Sequence, residues 1–170
     1  NELATLNGDT TGTITFTTAN ATTSADTIDL STGFNAATHT IKYTAGNQAS
    51  SAAFTDVASA TNLANTDTFT LSGAIDVLTF ANGDALDLTS FGLSAQSANT
   101  QFTTTGTKVG DGEYKLVAGA WNSMTNTFTA DAAGASLLVV WDANSTTSVS
   151  QVAVVILGVN SLDVGTELVL

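Results

Sequence analysis

The sequence predicts an all-β protein, a β-sandwich or a β-roll-like stack of short strands with at most one or two short helices. Threonine fills 32 of the 170 positions, and a β-branched residue loses little χ1 freedom on a pleated surface while its hydroxyl stays solvated or pairs across strands. Apolar and polar residues alternate with period two in one segment after another. Proline and arginine are absent, and glycine, asparagine and aspartate close the alternating segments at short intervals.

The first element is residues 12–18, Gly-Thr-Ile-Thr-Phe-Thr-Thr, which sets Ile14 and Phe16 on one face and threonines on the other. Residues 27–30, 39–44, 67–71 and 75–80 repeat the pattern. Longer strands are expected at 113–118, 125–130, 136–142 and 149–157, with a short last one at 167–170. Turn clusters separate them at Gly110-Asp-Gly112, Asp131-Ala-Ala-Gly134 and Asp142-Ala-Asn-Ser145. The apolar run 152–159, Val-Ala-Val-Val-Ile-Leu-Gly-Val, reads as a buried strand and is far too short to cross a bilayer as a helix. Phe54, Val57, Ala58 and Leu63 stand at partly helical spacing, so a helix is expected over 51–64, with a shorter one over 94–99. The chain divides into an N-terminal β segment, 1–72, and a C-terminal β module, 73–170, which can also form one continuous domain.

Composition narrows the function classes. A net charge of −12 repels phosphate backbones and anionic headgroups, so neither nucleic acid nor a membrane is an expected partner. With no cysteine there is no disulfide, thiolate ligand or thiol nucleophile. The first residues carry no basic n-region and no apolar h-region, so export by a conventional N-terminal signal is not expected. The single His39 lies in the alternating strand Thr-His-Thr-Ile-Lys-Tyr and is placed on its exposed face; one histidine allows no His-Glu-x-x-His pair, and no Gly-x-Ser-x-Gly elbow occurs. Paired carboxylates could in principle hydrolyse glycosides, but nothing singles out two of the 15. No catalytic residue and no cofactor-binding residue is assigned. Trp121, Trp141, Tyr43 and Tyr114 are read as core or interface rings.

One internal echo stands out. Residues 24–34, Ser-Ala-Asp-Thr-Ile-Asp-Leu-Ser-Thr-Gly-Phe, share Asp-x-x-Asp-Leu-Ser/Thr with residues 82–92, Asn-Gly-Asp-Ala-Leu-Asp-Leu-Thr-Ser-Phe-Gly. Each copy offers two carboxylates three residues apart. Calcium is the expected ion for such oxygen-rich loops, with Asp26 and Asp29 in one site and Asp84 and Asp87, supported by Asp76, in the other. The same aspartates also suit strand-terminating Asx turns.

From residue 75 onward the series Ile75-Asp-Val-Leu-Thr-Phe80, Asn82-Gly-Asp-Ala-Leu-Asp-Leu88, Asn126-Thr-Phe-Thr-Ala130, Leu137-Leu-Val-Val-Trp-Asp142 and Ile156-Leu-Gly-Val-Asn-Ser-Leu162 resembles the C-terminal region of type I secreted bacterial proteins of the RTX and S-layer kind. The resemblance implies one-step export through an uncleaved C-terminal signal, and folding on external calcium. The Gly-Gly-x-Gly-x-Asp nonapeptides of the RTX roll are absent, so that roll's calcium chemistry is not implied.

Together these features lead to the expectation of an extracellular structural protein at the bacterial cell surface, a self-assembling subunit of a surface layer, fibre or biofilm matrix. Its partners would be further copies of itself and cell-surface polysaccharide, and residues 14–16 and 152–159 are expected at contacts within or between subunits. The alternative is a C-terminal secretion or carrier module of a larger exported enzyme or adhesin.

Overall fold

Strands dominate the computed structural model, which describes residues 12–16, 27–31, 38–43, 53–56, 68–72, 75–81, 83–95, 109, 112–142 and 151–170. In chain order they are β1 (Gly12–Phe16), β2 (Thr27–Asp29), β3 (His39–Tyr43), β4 (Ala53–Asp56), β5 (Thr68–Ser72), β6 (Asp76–Thr79), β7 (Ala85–Asp87), β8 (Ser94–Ala95), β9 (Glu113–Asn122), β10 (Thr127–Ala130), β11 (Ser136–Asp142), β12 (Gln151–Leu157) and β13 (Leu168–Val169). A single 3-10 turn, Thr89–Phe91, is the only helical element among the described residues, so the all-β class holds. No helix among them is long and apolar enough to cross a membrane.

Two sheets form. The smaller has the order β1-β3-β7-β13, with every pair parallel. The larger runs β2-β6-β12-β11-β9-β10-β5-β4, with β8 alongside β9. Its first three strands are mutually parallel, and from β12 to β4 each neighbour is antiparallel. The chain therefore visits the two sheets in alternation, placing β1, β3, β7 and β13 in one and β2, β6 and β12 in the other, each return adding a strand on the same side of the last. This is the β-roll-like stack, enlarged by two insertions, antiparallel except for β8, which runs parallel to β9: β4 and β5 between β3 and β6, and β8 to β11 between β7 and β12. Strands from 1–72 and from 73–170 share both sheets through the pairs β2–β6, β3–β7 and β5–β10.

Side-chain alternation divides the interior into two cores. Leu137, Val139 and Trp141 of β11, with Val152, Val154 and Ile156 of β12, pack against Ile41, Tyr43, Leu86 and Leu168 of the smaller sheet. The intervening residues Leu138, Val140, Ala153 and Val155 pack on the opposite side with Leu71, Val109, Val117 and Phe128. Strands buried on both faces cannot alternate with polar residues, which is why 152–157 reads as one apolar run. Trp141 lies between Tyr43 and Phe91, each with its ring centroid 5.8 Å away and tilted by 55° and 53°. Such pairs add about 0.5–1.5 kcal/mol each beyond the area they bury. The indole N–H of Trp141 has no hydrogen-bond partner among the described residues, so ring contacts and buried area hold it.

Three expectations are corrected. Within the expected helix 51–64 the chain instead forms β4, antiparallel to β5 with Phe54 opposite Leu71. An aromatic and a β-branched residue, Phe54 and Thr55, gain a full strand partner there, which outweighs the weak helical tendency of a Ser- and Thr-rich segment. Residues 57–64 lie outside the described residues. Ser94–Ala95, expected at the start of a helix, is β8, and 96–99 lie outside the described residues. His39, expected to be exposed, is 3% exposed. The parity of its own strand requires this, because residues 39, 41 and 43 share a face and Ile41 and Tyr43 are apolar.

β9 serves two partners on opposite edges, β11 along Tyr114 to Gly119 and β10 along Gly119 to Asn122. The five-residue link 131–135 between β10 and β11 must cross β9, and it does so at Gly119. Gly134 of the link rests against the Gly119 backbone, where a Cβ on either glycine would collide; on Gly119 it would meet the Thr129 carbonyl oxygen and the Phe128 ring. Gly119→Ala is therefore expected to destabilise by about 1–3 kcal/mol through overpacking, a fall of roughly 3–10 °C in melting temperature for a chain of this size. A melting temperature equal to the wild type would contradict the crossing geometry.

Candidate functional site

Parallel strands β3 and β7 pair Thr40 with Ala85, Ile41 with Leu86 and Lys42 with Asp87. The same offset of 45 residues brings His39-x-x-Lys42 alongside Asp84-x-x-Asp87. Because residues three apart in a strand point to opposite faces, one pair forms inside the protein and the other on its outer side.

The inner pair is His39 and Asp84, 3% and 1% exposed. Asp84 Oδ1 accepts the main-chain N–H of His39 at 2.8 Å and lies 3.2 Å from His39 Nδ1, so the tautomer protonated at Nδ1 donates to the same oxygen. Asp84 Oδ2 accepts the N–H of Ala81 at 2.8 Å. The turn at 81–84 carries the chain from β6 in one sheet to β7 in the other, with Gly83 at φ +90°, where a Cβ would come within 3.0 Å of the Thr38 methyl group. One carboxylate thus closes this corner and also fixes the start of β3.

The outer pair is Lys42 and Asp87, with Nζ 2.6 Å from Asp87 Oδ2 and side chains 28% and 15% exposed. Asp87 Oδ1 accepts the N–H of Thr89 at 2.9 Å and its hydroxyl at 2.6 Å, and Lys42 Nζ also donates to Thr89 Oγ1 at 3.0 Å. Burial alone pulls the Asp87 carboxyl upward, but the hydrogen bonds from Lys42 and Thr89 and the Lys42 charge outweigh it and hold the group below the ordinary carboxylate range.

Asp29 ends β2 as Asp87 ends β7. Its Oδ1 accepts the N–H of Ser31 at 2.8 Å and the Ser31 hydroxyl at 2.6 Å. Leu30 and Leu88, next in each copy, are buried and donate their N–H groups to Thr79 and Val169 of the neighbouring strand at 2.9 and 2.7 Å. The sequence echo is therefore a strand end used twice, once in each sheet. Asp76, at the start of β6, is 3% exposed and accepts the Tyr43 hydroxyl at 2.9 Å, tying the two sheets together across the core.

No family model, curated protein or solved structure matches this chain. Its functional residues are therefore argued from this geometry. Of the five carboxylates expected to hold calcium, Asp26 lies outside the described residues. Asp84 and Asp87 face opposite sides of β7, Asp29 ends a strand of the other sheet, and Asp76 meets Tyr43. Among the described residues no three His, Asp or Glu side chains gather into a group that could hold a metal ion. At Asp84 and Asp87 every carboxylate oxygen already accepts a protein N–H or O–H, so a cation there would displace bonds that set the fold.

The tyrosine–aspartate and histidine–aspartate contacts escaped the sequence reading. A signal for the second was present, since His-x-x-Lys and Asp-x-x-Asp carry complementary groups at one spacing. Of the other described basic groups, Lys115 on β9 is half-buried, and desolvation by burial holds its ammonium below the ordinary lysine range.

The two aspartates are expected to behave differently. Asp84→Ala leaves several buried donors without their acceptor and should cost about 2–4 kcal/mol, or roughly 5–15 °C in melting temperature. Asp87→Asn should cost less than about 1 kcal/mol at pH 7, because its ion pair is partly exposed. The folded pKa of Asp87 lies below its unfolded value, so its contribution is present above about pH 4 and is lost as pH falls through the folded value. The gap between wild type and Asp87→Asn should accordingly narrow in melts taken at progressively lower pH below about 4; a gap independent of pH would count against the ion pair as its source.

Proposed function

We propose that this chain is an extracellular structural protein, a self-assembling subunit of a bacterial surface layer, fibre or biofilm matrix, exported by type I secretion. What carries the reading is the use made of its ionisable side chains. His39, Lys42, Asp84 and Asp87 align β3 with β7, Asp76 and Tyr43 join the sheets, and Asp29 ends a strand. Side chains that elsewhere act on substrates here fix strand register, which favours a scaffold over a catalyst. The type I route follows from the resemblance of 75–170 and from the absence of cysteine.

Calcium enters this reading through charge. A chain with 15 carboxylates against three lysines repels a second copy of itself until cations gather on it. Cell-surface polysaccharide remains a proposed second partner, since an uncharged, hydroxyl-rich polymer meets no like-charge penalty.

The alternative, a C-terminal secretion or carrier module of a larger exported protein, draws support from the outer edge of β13. Leu168 donates its N–H to the Asp163 carbonyl at 3.0 Å and accepts the Gly165 N–H at 2.8 Å, so a turn of the chain itself satisfies that edge. Such self-capping is what a terminal unit of a stack needs.

Electron microscopy of the purified chain separates the two. Under the structural reading, sheets or filaments form at micromolar protein once salt or calcium screens the surface; discrete particles under all these conditions favour the module. Melts should rise with calcium at millimolar concentrations and respond similarly to magnesium, as screening by counterions requires. A selective response to micromolar calcium would instead indicate a built site.

A further inference from the structure

We propose that Met124 is a reversible oxidation site, its thioether sulfur being the one atom of this chain that peroxides oxidise while the fold stays intact. The inference goes beyond the self-assembly reading and does not depend on it. The chain holds one methionine, two tryptophans, two tyrosines, one histidine and no cysteine, so its readily oxidised side chains are few enough to place one by one. All but one of them lie inside. Trp141, Tyr43, Tyr114 and His39 are buried, and Trp121 packs partly buried against the second core with its indole nitrogen enclosed. Met124 is 92% exposed. The fold thus shields every other oxidisable group and presents the only sulfur to solvent.

The sulfur stands at the tip of the hairpin that joins β9 to β10, whose last strand pair is Asn122 with Thr127. Bonds that do not involve the Met124 side chain fix this tip. Asn122 Oδ1 accepts the Met124 N–H at 3.0 Å, the Thr125 and Thr127 hydroxyls bond at 2.7 Å, and Asn126, at φ +51°, accepts the Leu71 N–H of β5 at 2.9 Å. An oxygen added to the sulfur is therefore made in water, breaks none of these bonds and buries no polar atom. In a core the same oxygen would be an unpaired polar group, which is how methionine oxidation ordinarily damages a protein. In the reaction a lone pair of Met124 Sδ attacks one oxygen of a peroxide, and the S–O bond forms as the O–O bond breaks. The sulfur gives up an electron pair to the peroxide, and the proton on the transferred oxygen passes to the departing hydroxide or alkoxide, which leaves as water or an alcohol. Among the described residues Met124 and Val164 are the exposed large apolar side chains. Oxidation turns the more exposed of the two into a polar sulfoxide and alters no packing.

Hydrogen peroxide acting on the full folded chain, followed by intact mass and peptide mapping, tests the proposal. One oxygen atom should enter, at Met124, at a rate within about threefold of that in the same chain unfolded in urea, because access to the sulfur sets the rate. The melting temperature should then move by no more than about 2 °C, as for a change confined to the surface. With the sulfur in open water both sulfoxide epimers should form in similar amounts, so each epimer-specific methionine sulfoxide reductase alone should remove about half of the added oxygen, and the two together all of it. Met124→Leu should take up none under the same conditions. Leu138→Met in that background, which sets a sulfur in the second core by a nearly volume-conserving exchange, should react at least about tenfold more slowly than Met124 does. Oxygen entering tryptophan, tyrosine or histidine as fast as Met124, a folded chain that reacts far more slowly than the unfolded one, or a sharp fall in melting temperature on oxidation overturns the proposal. The wild-type measurements decide it even if the Leu138 variant fails to fold.

Discussion

Parallel strands receive no help from a hairpin in finding their register, and in this protein the pairs that build the stack are joined by connections far longer than a turn. β3 pairs with β7 at an offset of 45 residues, and β6 with β12 at an offset of 78. A slip of one residue would turn every apolar side chain of a strand to the wrong face. Two polar side-chain pairs remove that freedom for β3 and β7. His39–Asp84 lies inside and Lys42–Asp87 outside, and a slip in either direction would break both and take from the buried Asp84 both of its His39 donors, leaving it the Ala81 N–H. The penalty for that uncompensated burial exceeds what the contacts contribute in place. Their value lies in excluding alternatives as much as in added stability.

The same economy runs through the rest of the molecule. Charged residues make up 11% of the chain, and several of the described ones close a corner, end a strand or join the sheets instead of coating the surface. What remains outside is dominated by carboxylates with few lysines to offset them. The protein therefore uses several of its few ionisable groups for internal order, while its net charge of −12 opposes the approach of other polyanions.

Much of this fold was legible because period-two alternation is a local signal. The antiparallel strands β9 to β12 appear at the expected places, since their hairpins and apolar runs lie within a short stretch of sequence. β7 was missed for a physical reason: three residues, Ala85–Asp87, flanked by aspartates, are too few to show a period, and the strand exists because β3 and β13 sit on either side of it. The burial of His39 could have been read from parity with Ile41 and Tyr43, but the residue type argued for the surface. The aspartate echo was visible and its chemistry was not. Asp-Leu-Ser and Asp-Leu-Thr place a carboxylate, a buried anchor and a hydroxyl in order, and only the three-dimensional partners show that the carboxylate serves the hydroxyl and the N–H two residues on.

The β13 end of the smaller sheet is closed by the chain itself, and this bears on how such a chain could assemble. At β13 the backbone of residues 163–168 folds back and fills the hydrogen-bonding positions that another strand would need. A stack capped at one end cannot grow indefinitely by adding copies end to end, because head-to-tail growth requires both ends of every copy to accept a partner. Any open-ended assembly would have to use surfaces other than that edge. Edge pairing is strong and hard to limit, the route by which exposed strands aggregate. A protein that closes its edge in this way has removed one site of indiscriminate strand pairing.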